Sequence, residues 1–335
     1  MDARVLYFSA PGTVELRTET VGRPDRGELL VETVASAISP GSELLVYRGE
    51  VPSGMAVDAT IDALDGEFEY PLPYGYAAVG EVVETGEAVE EAWVGRQVFA
   101  FEPHADRFRT TPDRVVPVRE GTTAGEATLL PSVETATNLV LDGCPRVGER
   151  VVVFGAGLVG LCTTHVLSGF PLDRLVVVEP IPERRELAER LGADRTVHPD
   201  EPGSVLADRD PEGADLVYEL SGRPSTLDAA VGAVGYDGRV VVGSWYGTKR
   251  AAVDLGGSFH RDRITIESSQ VSTIDPSLRG RWDRRRRFDV AFDHLRSLDA
   301  SALRGEAIPF GEAPDAYRRL DDGSLDGPHV VLTYR

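Results

Sequence analysis

The chain reads as an α/β protein in two parts: a mostly antiparallel β domain, then a doubly wound parallel sheet with helices on both faces. Three observations predict this. The apolar run Val151–Phe154 feeds directly into Gly155-Ala156-Gly157-Leu158-Val159-Gly160, and Leu158 to Leu167 has helical character. From Val5 to about Arg119, short strands are broken by Gly and Pro, whereas from Val151 to about Ser268 strands alternate with helical segments. At 335 residues the chain is too long for one compact core. The expected division is 1–130 completed by 276–335, with 131–275 as the second domain.

In the first part, Glu28–Ala37, Ala78–Glu84, Gln97–Phe101 and Arg114–Val118 are the expected strands, with a short helix after Pro40. The segment Tyr47–Tyr70, with Gly, Pro and several acids, is expected to be a lid or a disordered loop. In the second part the strands are Val151–Phe154, Leu175–Glu179, Asp215–Leu220, Arg239–Gly243 and Ile264–Glu267. A helix over Arg284–Leu298 and a last strand at His329–Thr333 follow.

The glycines of the turn have separate tasks. Gly155 permits the tight exit from the strand, Gly157 lets the backbone approach a pyrophosphate, and Gly160 lets the helix pack close on the sheet. Leu158 and Val159 open that helix, whose N-terminus points N–H groups and a partial positive charge at the phosphates. The next strand ends in Glu179, 19 residues after Gly160, where a carboxylate accepts hydrogen bonds from ribose hydroxyls. The pattern predicts a dinucleotide-binding site, the alternative being a strand–turn–helix that binds nothing. Because Glu179 repels a 2′-phosphate, NAD(H) is favoured over NADP(H). Arg184 and Arg185 lie close enough in sequence to weaken that preference, or are exposed helix residues.

The formal charge is −20, and Lys249 is the only lysine against 34 arginines. A carboxylate-rich, lysine-poor surface suits a high-salt cytosol, so a halophilic source is expected. The same charge argues against nucleic acid or an anionic membrane as partner. No stretch of about 18 apolar residues occurs and the N-terminus lacks a signal-peptide pattern, so a soluble, cytoplasmic protein is expected. Of the two cysteines, Cys162 reads as a small buried apolar residue in the helix after the turn.

The segments Ala37-Ile-Ser-Pro-Gly-Ser42-Glu43, Pro73-Tyr-Gly75-Tyr76-Ala-Ala-Val-Gly80, Gly95-Arg-Gln-Val-Phe, Glu134-Thr135-Ala136 and Gly155–Gly160 make the chain resemble the medium-chain dehydrogenase/reductase superfamily. Ile38–Glu43, Pro73–Tyr76, Pro103-His104-Ala105 and Ser268–Val271 look more specifically like its branch of bacteriochlorophyllide hydroxyethyl dehydrogenases and related alcohol dehydrogenases. The resemblance implies a GroES-like catalytic domain, a Rossmann domain, and hydride transfer in the cleft between them. It does not carry over a tetrapyrrole substrate, because substrate contacts come from variable loops.

Zinc members of that superfamily supply Cys, His and Cys or an acid. Here those positions hold Ser39 or Pro40, Tyr76, and Pro131 or Ser132, none a competent zinc ligand. No metal is therefore expected, although a substitute set of Glu43, His104 and Glu134 is conceivable. Without metal, Ser42, Tyr76 and His104 are the candidate catalytic groups. Tyr76 occupies the place of the zinc-binding His, and either donates its phenol to a substrate oxygen or only packs its ring. Ser42 matches a proton-relaying hydroxyl, or caps a short helix. His104 is the available imidazole, or a structural one.

The resemblance places Thr135 beside the nicotinamide and Val159 under the cofactor. Gly243, Ser244 and Tyr246, in the loop after a later strand, would meet the carboxamide. The run Arg279–Arg287 either receives an anionic substrate group, neutralises neighbouring acids, or joins a subunit contact. The expected function is hydride exchange between NAD(H) and a secondary alcohol or ketone, a small-molecule substrate, in a homodimer. The alternatives are a quinone or enone reductase, and a dinucleotide-binding sensor or scaffold without turnover.

Overall fold

A computed structural model describes residues 1–58, 60–201, 213–325 and 327–334. It divides into two compact units, Met1–Pro131 with Arg304–Arg335, and Ser132–Leu303. No helix among the described residues is long and apolar enough to cross a membrane.

The first unit opens with a hairpin. Strands β1 (Asp2–Ala10) and β2 (Thr13–Thr20) pair antiparallel, and Gly12 (φ +74°) supplies the left-handed turn between them. Strand β3 (Leu29–Ile38) is buried along most of its length and leads into helix α1 (Pro40–Arg48), whose first turn carries Pro40. Four further short strands and the two-residue β4 (Leu72–Pro73) follow: β5 (Ala78–Thr85), β6 (Gln97–Ala100), β7 (Arg107–Thr110) and β8 (Val115–Pro117). A capping box between Thr123 and Glu126 starts the short helix α2 (Ala124–Ala127).

The segment Tyr47–Tyr70 is neither an open lid nor a disordered loop in its described part. Leu64 is buried, and Val57, Ile61, Phe68 and Tyr70 pack on the cluster built by Leu6, Phe8, Leu72, Tyr74 and Tyr317. The many acids suggested solvent, but apolar residues interleaved among them anchor the segment.

The second unit is built on a six-stranded parallel sheet. Helix α3 (Leu130–Gly143) leads into β9 (Arg150–Phe154), every residue of which is buried, as a central parallel strand requires. Then come α4 (Leu158–Leu167), β10 (Arg174–Val178), α5 (Pro182–Arg190), β11 (Arg195–Val197), β12 (Ala214–Glu219), α6 (Thr226–Ala233), β13 (Val234–Val242), α7 (Ser258–Arg261) and β14 (Thr265–Ser268). Their order is β11-β10-β9-β12-β13-β14. The chain therefore winds outward from β9 in one direction and from β12 in the other. The switch point lies between those two strands, where doubly wound sheets bind ligands.

Helices α8 (Arg284–Ser297) and α9 (Ala300–Leu303) close this unit. The expected return of the chain at 276 is thus corrected to 304. Segment 276–303 stays with the parallel sheet because buried Arg287 of α8 bonds to Glu134 and Asn138 of α3. Strand β15 (Arg304–Pro309), helix α10 (Ala313–Asp321) and β16 (His329–Thr333) then complete the first unit, whose larger sheet runs β15-β16-β3-β5-β6-β8 with β7 also on β3.

Candidate active site

In the second unit the glycine turn has the shape its sequence implies. Gly155 adopts φ +99°, and a side chain there would meet Leu220 O and Ser221 Cα at 2.8 Å. A Cβ on Gly160 would lie 2.0 Å from Gly155 O, so the helix packs against its own turn. Gly157 differs: it is the N-cap of α4, no side chain caps that end, and an added Cβ meets nothing within 4 Å. The helix start thus offers N–H groups facing open space, with Leu158 and Val159 half-buried on its first turn. This arrangement fits a dinucleotide pyrophosphate.

Glu179 follows the last residue of β10 and is nearly buried. Oε2 accepts from Ala156 N–H at 2.7 Å and Oε1 from Ile181 N–H at 3.0 Å. The carboxylate therefore leans on the glycine turn, and each oxygen keeps a lone pair for a further donor. Arg185 stands beside it, its guanidinium donating to the carbonyls of Glu179 (2.7 Å) and Pro180 (2.8 Å).

The remaining cofactor candidates gather at the carboxyl ends of β12 and β13. A Cβ on Gly243 would strike side chains of Leu220 (2.6 Å) and Leu139 (2.7 Å). Leu139 lies one helical turn after Thr135 on α3, so Thr135 is on the face turned to that loop. Ser244 Oγ accepts from Gly222 N–H at 2.9 Å. Tyr246 donates to Glu219 Oε2 at 2.5 Å, and burial followed by that bond pushes its phenol well above the ordinary range. Glu219 was missed in the sequence, where the strand was carried through to Leu220. An acid at the tip of an apolar strand, as at Glu179, was the available signal.

In the first unit, β3 and β5 are antiparallel neighbours with Ser36 opposite Ala78, which brings the start of α1 against the residue before β5. There Ser42 Oγ and Tyr76 OH lie 2.6 Å apart, both half-buried. Burial, then the nearby Glu43 charge, raises the Tyr76 phenol, while bonds from Ser39 and Ser42 oppose the rise. Tyr76 is a donor at neutral pH. Its ring meets that of Tyr74 edge-on at 6.1 Å.

His104 occupies a structural position, one of the two expected for it. It is 0% exposed, with Nδ1 2.7 Å from Ser36 Oγ and Nε2 3.1 Å from Glu43 Oε2. Both ring nitrogens are thus engaged, and the imidazole holds Glu43. Gly75 (φ +119°) makes room for it, since a Cβ there would sit 2.5 Å from His104 Cδ2. Glu43, also 0% exposed, accepts from Ser39 N–H at 2.7 Å and from the Tyr317 hydroxyl as well. This buried polar hub fixes the first turn of α1 behind Ser42.

Of the substitute metal set, Glu134 is already engaged by a cation. Glu134 Oε1 accepts from Arg287 Nη2 at 2.7 Å and Nε at 3.0 Å, so its charge is already compensated. Among the described residues no group of three His, Cys, Asp or Glu could hold a metal ion. The hydroxyls of Ser39, Ser42 and Tyr76 do not fit zinc, which takes thiolate, imidazole or carboxylate. Of the arginine run, Arg287 neutralises an acid, Arg286 stacks on Trp282 at 4.3 Å, and Arg279, Arg281 and Arg285 are exposed.

Residues 159–284 match a family described as zinc-binding dehydrogenase. The chain is 29% identical over 260 residues to L-threonine 3-dehydrogenase of Pyrococcus abyssi, across 68% of this chain and 71% of that protein. Its fold matches an alcohol dehydrogenase of Escherichia coli CFT073 complexed with NADH at TM-score 0.79, with 20% identity over 99% of both chains. It matches a candidate zinc-binding dehydrogenase of Sinorhizobium meliloti 1021 bound to NADP at 0.78, with 18% identity over 100% of both. The two units are thus a GroES-like domain and a Rossmann domain. In fold and in sequence the chain is similar to the medium-chain, alcohol-dehydrogenase-like oxidoreductases, and it is an enzyme, an NAD(P)-dependent oxidoreductase.

Proposed function

We propose that the protein exchanges hydride between NAD(H) and a secondary alcohol or its ketone, with protein hydroxyls in the role that zinc has in related enzymes. The observation that carries this is the uncapped start of α4 at Gly157, open to a ligand, with the Glu179 carboxylate beside it. Gly155–Gly160 would hold the pyrophosphate, Glu179 the adenosine ribose, and Thr135, Val159 and Gly243–Tyr246 the nicotinamide end. The dinucleotide supplies the hydride donor or acceptor.

Tyr76 and Ser42 handle the proton. In the reducing direction the phenol of Tyr76 gives its proton to the ketone oxygen, and Ser42, at hydrogen-bond distance, relays a replacement proton from solvent to the phenolate, ending as the neutral hydroxyl it began as. In the other direction the alcohol proton leaves by the same pair. Glu43, held by His104, keeps Ser42 in place. The donor set at Ser39, Ser42 and Tyr76 supports a zinc-free reaction, and so does the engagement of Glu134 by Arg287.

Arg185 favours a second reading, a quinone or enone reductase using NADPH, since its guanidinium lies at the ribose end where a 2′-phosphate would sit. A turnover screen with NADH and NADPH in molar KCl, across secondary alcohols, enones and quinones, separates the two. The first reading expects NADH-linked turnover of secondary alcohols by dialysed protein, with Tyr76→Phe lowering kcat by about 10²–10⁴. One zinc per chain after dialysis would refute the zinc-free part. Cofactor binding without turnover of any class would favour a sensor.

A further inference from the structure

Glu219 ends β12 at the switch point of the parallel sheet and is 0% exposed. Its partners are all donors. Ser221 N–H reaches Oε1 at 2.9 Å, the Ser221 hydroxyl reaches the same oxygen, and the Tyr246 hydroxyl reaches Oε2 at 2.5 Å. Donors converging on both oxygens mark a carboxylate rather than a carboxylic acid. No Arg, Lys or His pairs with it among the described residues, in contrast to Glu134, which has Arg287.

This anion lies where three loops meet. Leu220 N–H donates to Phe154 O at 2.8 Å, and Gly155 abuts Leu220 O and Ser221 Cα. Ser244 Oγ receives Gly222 N–H, and Tyr246 covers the carboxylate from the loop after β13. A buried negative charge without a counter-cation among the described residues therefore stands at the crevice formed by the carboxyl ends of β9, β12 and β13. Such a charge acts over several ångströms, because the interior screens it less than water does. A nicotinamide ring is cationic when oxidised and neutral when reduced, so an anion in this place treats the two forms unequally.

We infer that Glu219 sets the redox preference of the bound cofactor, holding NAD⁺ more tightly relative to NADH than the crevice would without it. The inference rests on the dinucleotide reading above. Tyr246 moderates the effect by donating to the carboxylate, so the pair tunes the balance between the oxidised and reduced forms.

The test is equilibrium binding, not turnover. NAD⁺ and NADH are titrated separately into dialysed protein by calorimetry, for the parent, Glu219→Gln and Tyr246→Phe. Glu219→Gln keeps an acceptor for Tyr246 but removes the charge. The ratio Kd(NAD⁺)/Kd(NADH) should rise by about five- to tenfold, the scale of a unit charge in a partly screened interior. Tyr246→Phe leaves the charge and removes a donor, so the ratio should fall. A Glu219 that only organises the loops would weaken both forms alike, and an unchanged ratio in Glu219→Gln overturns the inference. If Glu219→Gln does not fold, Tyr246→Phe decides by the sign of its change. Failure of the parent to bind either form would sink the dinucleotide reading itself, a result distinct from an unchanged ratio.

Discussion

Replacing Arg287 by Met should cost the second unit about 4 kcal/mol. Arg287 is 2% exposed and spends its donors on Glu134 Oε1 (2.7 and 3.0 Å), Asn138 Oδ1 (2.6 Å), Val271 O (2.6 Å) and Thr273 O (3.3 Å). Its loss strands the Glu134 carboxylate in the interior, a change that costs roughly 3–5 kcal/mol when one partner of a buried pair is removed. The lost bonds to Asn138 and two carbonyls add to this, less than additively. Burial already raises the Glu134 carboxyl, and the Arg287 charge is the main opposing influence. In Arg287→Met that carboxyl rises further. An acid with a raised folded-state pKa is favoured below its unfolded pKa, and that benefit disappears as pH climbs through the folded value. The gap between parent and variant should therefore narrow at pH 5 and widen at pH 8. Urea unfolding followed by circular dichroism in molar KCl measures it. The double variant Glu134→Gln/Arg287→Met should recover about 1–3 kcal/mol of the loss. A single variant within about 1 kcal/mol of the parent, or a double variant no better than the single, refutes the reasoning.

Two further perturbations probe the first unit. Burial pushes the Glu102 carboxyl up to about 8, with Thr110 and Arg114 opposing. The folded state thus prefers it protonated, and stability should fall by roughly 3–5 kcal/mol between pH 4.5 and 8 from this group. Glu102→Gln should flatten that part of the profile, read from urea midpoints at several pH values; a slope unaltered by the substitution contradicts the assignment. Gly75→Ala should lower both stability and kcat. Its Cβ would displace His104 from Glu43, in a backbone conformation (φ +119°) that costs about 1–2 kcal/mol for a side chain. Wild-type unfolding and kinetics for this variant would show that His104 does not hold the site.

What the sequence made legible was local. The glycine turn, the helix Leu158–Leu167 and the last strand His329–Thr333 depend on neighbouring residues and a fixed period, and lie where expected. What it hid depends on distant pairs. Glu134, Asn138 and Asp142 repeat every four residues on α3, but their purpose appears only when Arg287, 153 residues beyond Glu134, arrives to bond two of them and Ser269 bonds the third. Their spacing alone cannot be told from a solvated helix face. His104 was recognisable as the available imidazole, yet its burial follows from the Gly75 conformation and the Ser36 register, which no local pattern encodes. Strand β11, three residues long, is too short for any period to announce it.

Gly157 offers the most direct test of a dinucleotide at the head of α4. A Cβ added there meets nothing within 4 Å, so Gly157→Val should fold with little change in urea midpoint while its methyl groups occupy the space in front of the helix start. Titration with NADH, followed by quenching of tryptophan fluorescence, should show tight binding to the parent and at least about tenfold weaker binding to the variant, a loss of about 1.4 kcal/mol. Equal affinity in the two proteins would mean that the cofactor, if it binds, lies elsewhere.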